Sequence, residues 1–158
     1  MKNDLNYAVE LIRKSDGILI TAGAGMSVDS GLPDFRSSGG FWNAYPAFRE
    51  HNLNFQDIAT PMSFETHTEL IYWFYGHRLV QYRNTTPHEG YQILKRWASE
   101  KPHGYFVFTS NVDGHFQKAG FEEKRVYEVH GTLERMQCVH DCHHQSWTAK
   151  DFQPEVDN

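Results

Sequence analysis

Cysteine is scarce here: the 158 residues contain two. That excludes a small scaffold held together by several disulfides. Positive charge is not in excess either. Lys plus Arg number 15 against 20 Asp plus Glu, a formal charge of −5. A mildly acidic chain is poorly suited to non-specific binding of a polyanion, so no nucleic-acid partner is expected. No stretch approaches the roughly 20 consecutive apolar residues that a membrane helix needs, so no membrane association is expected. The N-terminal segment, MKNDLNYAVELIRKSDG, mixes acidic and basic side chains and has no apolar h-region, hence no secretory signal. A reducing cytoplasm is the expected compartment. What the chain does have is apolar and aromatic bulk, 39% and 15% of its residues. At this length the expectation is one ordinary domain with a real core.

Leu5, Ala8, Val9 and Ile12 recur at i, i+3, i+4 and i+7, which predicts a helix, stopped at Gly17. Ile18–Thr21, Tyr105–Thr109 and Val126–Val129 are short, apolar or β-branched runs and read as buried strands. Between the first two, Phe64 to about Arg83 reads as a helix with Leu70, Trp73, Phe74, His77 and Val80 near one face. Thr86 and Pro87 read as the cap and first position of another, with a stripe of Tyr91, Leu94 and Trp97. His115 to Lys118 is a short helix closed by Gly120. Residues 41–60 are aromatic but aperiodic and read as irregular. Helices alternating with strands point to an α/β fold: a Rossmann-like parallel sheet with helices on both faces. From about Leu133 the character changes, and Cys138, His140, Cys142, His143 and His144 crowd together.

Four segments carry chemistry. The turn Gly23-Ala24-Gly25-Met26 follows the first strand, where glycines let backbone approach a phosphate. The dinucleotide fingerprint G-x-G-x-x-G is met only in part, because position 28 is Val; a tight βα turn without a ligand fits equally well. Ser110-Asn111-Val112-Asp113 ends the second strand, where ligands bind in open α/β sheets, though Asn and Asp also favour turns for local reasons. His130 ends the third strand; it can serve as a general base near neutrality or as a hydrogen-bonded structural residue. Cys138 and Cys142 can hold one side of a tetrahedral zinc site, or be free thiols on a hairpin.

Taken in order, these segments resemble a known family. Gly23-Ala24-Gly25-Met26-Ser27-Val28-Asp29-Ser30-Gly31-Leu32-Pro33-Asp34-Phe35-Arg36 resembles the NAD-binding signature of the sirtuins, the Sir2 family of NAD-dependent protein deacylases. Thr109 to Gly114 is similar to its strand-end motif, Val129-His130-Gly131-Thr132 to its catalytic histidine segment, and Cys138 and Cys142 to the first pair of its zinc module. Pro87 to Leu94 looks like its helix start, with His88 and Tyr91 where Asn and His are common. The resemblance implies that Ala22, Gly23, Ala24, Gly25 and Met26 meet the pyrophosphate. Asp34, Phe35 and Arg36 would lie on a loop over the nicotinamide ribose. Ser110, Asn111 and Asp113 would line the nicotinamide pocket, and His130 would be the base for a ribose hydroxyl. In that chemistry NAD is a co-substrate. The acyl oxygen of a modified lysine attacks the ribose carbon as nicotinamide leaves, and the 2′-hydroxyl then attacks the resulting imidate. The implied partner is an acyl-lysine protein or peptide, and the implied metal is a structural zinc.

Ser110 departs from the family pattern, which has Gln there, and the cysteine spacing is C-x3-C. The family's second cysteine pair and later NAD-contacting turns have no counterpart. The chain therefore reads as the N-terminal part of such a domain: a Rossmann-like portion over 1–132 and the start of a zinc module over 133–158. NAD hydrolysis or ADP-ribosyl transfer is the alternative that Ser110 and the aromatic segment Phe41–Phe48 bring in. A non-catalytic binding fragment is the other. The acyl preference stays open, since Asn54–Arg83 holds Tyr72, Tyr75, Arg78, Tyr82 and Arg83 but no decisive pair for an acidic acyl chain.

Overall fold

The computed structural model describes residues 2–35 and 38–156. Helix α1 (Lys2–Lys14) leads into strand β1 (Ile18–Ala22), followed by a single turn of helix, α2 (Gly25–Val28). Six further helices separate β1 from β2: α3 (Ser38–Ala44), α4 (Pro46–Glu50), α5 (Phe55–Ile58), α6 (Ser63–Thr66), α7 (Thr68–Asn84) and α8 (Glu89–Ser99). Strand β2 (Tyr105–Thr109), helix α9 (His115–Lys118) and strand β3 (Val126–Glu128) complete a three-stranded parallel sheet of order β1-β2-β3. A small antiparallel hairpin, β4 (Arg135–Gln137) with β5 (Ser146–Thr148), follows and is succeeded by described residues without regular structure up to 156. The α/β, Rossmann-like architecture is the expected one.

Strand residues alternate between faces, and the alternation decides what each face does. Ile20, Tyr105 and Val107 point to one side, where Tyr91 and Ala98 of α8 and Phe116 of α9 close over them as a dry core. Leu19, Phe106, Phe108 and Tyr127 point to the other, and all are exposed, Leu19 by 67%. Helices on both faces were expected; among the described residues the second face is bare. Helix α1 does not cover it, since its own Leu5, Val9 and Ile12 are exposed as well.

The aperiodic aromatic stretch is helical rather than irregular. Phe41, Tyr45, Phe48 and Ile58 of α3–α5 pack with Ile71 and Phe74 of α7 into a second core. Its order comes from edge-to-face rings, such as Tyr45 on Phe74 with centroids 4.9 Å apart, and not from a helical stripe. The single helix expected over 64–83 is broken at His67, whose backbone leaves helical geometry (φ −137°, ψ 45°). It buries Ile71, Phe74, Arg78, Leu79 and Tyr82, a face rotated from the one the periodicity suggested. Lys118 of α9 donates to the carbonyls of Tyr82, Arg83 and Thr85. That cation at the carboxyl end of α7 satisfies acceptors a helix cannot satisfy itself, and joins the two cores.

A bare apolar sheet face is expected to self-associate. At micromolar concentration the chain should elute from size-exclusion chromatography as an oligomer, and Leu19→Lys with Phe106→Lys should shift it toward monomer. A sharp monomeric peak for the unaltered chain would contradict this.

Candidate functional site

Register brings the chemistry-bearing segments together. Ala22 pairs with Thr109, and Thr109 with Glu128, so all three strands end at one level. The Ser110 N–H donates to the Ala22 carbonyl at 3.1 Å and the Val129 N–H to the Thr109 carbonyl at 2.9 Å, continuing the ladder one step past the strands. The glycine-rich turn, Ser110–Asp113 and His130 therefore emerge side by side at the carboxyl edge, where open α/β sheets bind ligands. Gly31, with φ +92°, turns the chain away after α2 through a conformation that side chains disfavour.

A polar knot holds this edge. Asn111, buried, donates from Nδ2 to the Gly23 carbonyl at 3.1 Å and to Ser27 Oγ at 3.0 Å. Ser27 Oγ donates to Asp113 Oδ2 at 2.5 Å, and Asp113 Oδ1 accepts from the His115 N–H at 2.9 Å. The hydroxyl of fully buried Tyr91 lies 3.2 Å from Ser27 Oγ. Burial pushes the Tyr91 phenol up to about 12, so it remains a neutral hydrogen-bonding group. One serine thus ties the turn after β1 to the turn after β2 and to α8. Behind it, His115 is wholly buried with neither ring nitrogen bonded, and burial lowers its pKa.

The other expected site residues are placed as follows. Ala22 ends β1; Gly23, Ala24, Gly25 and Met26 form the turn and open α2, with the Met26 N–H bonded to the Gly23 carbonyl at 2.9 Å. His130 is exposed in the turn after β3, which the Leu133 N–H fastens to the Val112 carbonyl at 3.1 Å. Asp34 is half-buried on the loop after Gly31. Phe35 is not part of the knot. It is built into the aromatic core, stacked on Phe55 at 5.4 Å and edge-on to Phe41 at 5.6 Å. Arg36 lies outside the described residues. Cys138 and Cys142 flank the turn between β4 and β5, their sulfurs 2.9 Å apart. Thiolates sharing a tetrahedral zinc stand about 3.8 Å apart. The donor chemistry suits zinc, but two thiols are half of a closed site, and among the described residues no group of three or more His, Cys, Asp or Glu could hold a metal.

Three participants were not expected. Ser27 lay within the glycine-rich signature, yet its spacing to Asp113 is invisible without the register. His88, not Thr86, caps α8, because Gly90 donates to its ring at 3.0 Å and the helix begins at Glu89. Arg78, 4% exposed, is a charged side chain inside the aromatic core. Its guanidinium sits 5.0 Å from the Phe35 ring centre and 5.2 Å from that of Phe74, and donates to the Tyr82 hydroxyl at 2.8 Å. Among the described residues it pairs with no carboxylate.

Beside the knot lies a cleft of about 400 Å³ lined by Asp113, Gly114, Glu128, Thr132 and Glu134, among others. Burial raises the Glu128 carboxyl, which accepts from Gln117 Nε2 at 2.9 Å. The far wall is a clamp. Arg83 donates to both oxygens of Glu134, at 2.9 and 2.8 Å, and to the carbonyls of Ala149 and Phe152, fastening the hairpin to α7.

Comparison with known proteins gives a consistent picture. A model of the Sir2 family matches residues 23–158. An NAD-dependent protein deacylase of Aquifex aeolicus is 32% identical over 139 residues, covering 88% of this chain and 53% of that protein. An NAD-dependent protein deacetylase of Clostridium perfringens is 34% identical over 145 residues, covering 90% and 55%. Among solved structures, a Sir2 homologue in complex with NAD superposes with a TM-score of 0.73 at 26% identity, covering 97% of this chain and 54% of that one. The chain thus spans about half the length of the curated relatives it matches.

The clamp makes stability depend on acid. The Arg83 guanidinium holds the Glu134 carboxyl below the usual carboxylate range. Its contribution is therefore present above that range and lost as pH falls through the lowered value. At neutral pH, Glu134→Gln should cost about 1 kcal/mol in urea unfolding, discounted for partial exposure. The difference from the unaltered chain should close as the pH is lowered through the carboxylate range. A difference that is the same at every pH would show that the pair is not what Arg83 contributes.

Proposed function

Because the chain belongs to the Sir2 family, we propose that it carries the nucleotide-binding turn and the catalytic histidine of an NAD-dependent protein deacylase. The observation that carries this is the common level of Ala22, Thr109 and Glu128, which delivers the glycine-rich turn, Asn111 with Asp113, and His130 to one edge. In this reading the backbone of Ala22–Met26 receives the pyrophosphate, where a turn entering a helix favours anions. Asn111 and Asp113 are pinned by Ser27 so that their remaining polar capacity faces the nicotinamide amide, with Ser110 beside them. His130, exposed and next to that edge, takes a proton from a ribose hydroxyl. Asp34 and Phe35 lie on the segment read as covering the sugar, which Phe35 anchors in the aromatic core. The partner is an acyl-lysine protein or peptide. A Sir2 bound to a deacetylated p53 peptide and 3′-O-acetyl ADP ribose superposes at a TM-score of 0.67 and supports this.

The acyl group favoured is one that ends in a carboxylate. Arg78 supports this reading, as a buried guanidinium that meets rings and one phenol but no anion among the described residues. Burying such a charge without a partner is costly, and a ligand carboxylate offsets that cost. Tyr75, one turn earlier on α7, is also largely buried and feels the Arg78 charge. Cys138 and Cys142 are read as two thiolate donors to a structural zinc, and a reducing cytoplasm suits their free state.

Nicotinamide release from NAD tests the proposal, measured with no peptide, with an acetyl-lysine peptide and with a succinyl-lysine peptide. Peptide-dependent release is expected, and its steady-state rate should fall about a hundredfold or more in His130→Ala, because the ribose hydroxyl attacks only after nicotinamide has left and the stalled intermediate blocks further turnover. It should be faster with the succinyl peptide, and Arg78→Met should abolish that preference. Release that needs no peptide would instead mean NAD hydrolysis, and NAD binding without release would mean a binding module.

A further inference from the structure

Helix α8 begins on an uncommon cap. Small oxygen-bearing side chains usually accept the first free N–H of a helix. Here the imidazole of His88 does so, with Nδ1 accepting from the Gly90 N–H at 3.0 Å. Nδ1 therefore bears no hydrogen, and the neutral ring carries its proton on Nε2. That atom lies 2.9 Å from the Met26 carbonyl and donates to it. One ring thus spans the start of α8 and the glycine-rich turn. The His88 N–H adds a second tie, to Ser30 Oγ at 3.0 Å.

Gly90 fits this arrangement. It is the second residue of α8, next to the capping ring. A Cβ there would lie 2.4 Å from Cε1 and 2.9 Å from Nδ1 of His88. The glycine clears space for the ring.

We propose that His88 is a proton-sensitive positioning residue: neutral, it latches the glycine-rich turn to α8, and protonated, it releases the turn. The added proton has to go on Nδ1, the atom that accepts from Gly90. Two donors then face each other, and a positive charge appears at a helix N-terminus, where the helix dipole opposes it. The titratable groups near the ring are Tyr91 on α8, 5.0 Å away, and His115 on α9, with Asp113 beyond it, while Glu89, next in sequence, is exposed. Burial keeps the Tyr91 phenol protonated and lowers the pKa of His115, so neither supplies a compensating negative charge.

Any effect on nucleotide affinity rests on the function proposed above, so the test reads the turn itself. Amide hydrogen exchange over residues 22–30, corrected for intrinsic rates, is compared at about pH 8 and about pH 5.5, either side of the range where imidazoles take up a proton. In the unaltered chain, exchange should rise about fivefold in acid, the size expected for a lost cap. His88→Asn keeps an oxygen cap that does not titrate and should show no such rise. His88→Ala should exchange fast at both pH values. A rise of equal size in His88→Asn, or none in the unaltered chain, would overturn the proposal. NAD titrated in parallel should bind more weakly in acid to the unaltered chain only. If the exchange response appears and NAD binds at neither pH, the latch stands and the nucleotide reading fails.

Discussion

The hydroxyl of Ser27 is the point on which this site turns. It accepts from Asn111, lies within reach of Tyr91 and donates to Asp113, so three segments far apart in sequence meet at one atom. A hydroxyl has one hydrogen and two lone pairs, and this geometry commits them all. Because the group is buried, an unmade bond would leave an unsatisfied polar atom, which costs more than a typical bond contributes. Position is the product. Asn111 and Asp113 are held at the strand ends with defined orientations, and the turn after β1 cannot drift away from them. The Arg83–Glu134 clamp and the Lys118 cap do the same for the far wall, with charge in place of the hydroxyl.

Two cores share the work unequally. The sheet core, closed by α8 and α9, sets the level at which the strands end and hence where the site lies. The aromatic core of α3–α7 anchors the loop that carries Phe35, and holds Arg78 against the same ring. The described part of the chain buries one face of its sheet and exposes the other. A Sir2-type domain of roughly twice this coverage, as in the relatives, has more chain with which to cover such a face.

Much of the site was legible because its signals are local. The glycine turn, Asn111 with Asp113, and His130 each follow a strand whose apolar run is plain, and parallel strands of equal reach end together. What escaped notice depended on distant partners. The helices over residues 38–58 have no apolar period because their rings pack edge to face across several short segments. Arg78 reads as a solvent-facing charge in any helical pattern, and only the surrounding rings explain its burial. Thr86-Pro87 has the composition of a helix start, yet the helix begins two residues later, at Glu89. The cap then falls to His88, whose ring finds partners in both α8 and the glycine turn. An uncovered apolar face was to be expected from a chain that lacks the family's later segments, but which face is bare was not legible in alternating strands, which specify two faces and not what covers them.

The proposed function requires that Ser27, Asn111 and Asp113 be tied together so as to hold a nucleotide. Calorimetric titration of NAD into the unaltered chain and into Asn111→Ala tests it most directly, with far-ultraviolet circular dichroism confirming that both remain folded. Saturable binding is expected, weakened about tenfold or more in the variant, since both the contact and the knot are lost. Equal affinity in two folded proteins would contradict it, and would mean that the knot is a structural feature of the strand ends and no more.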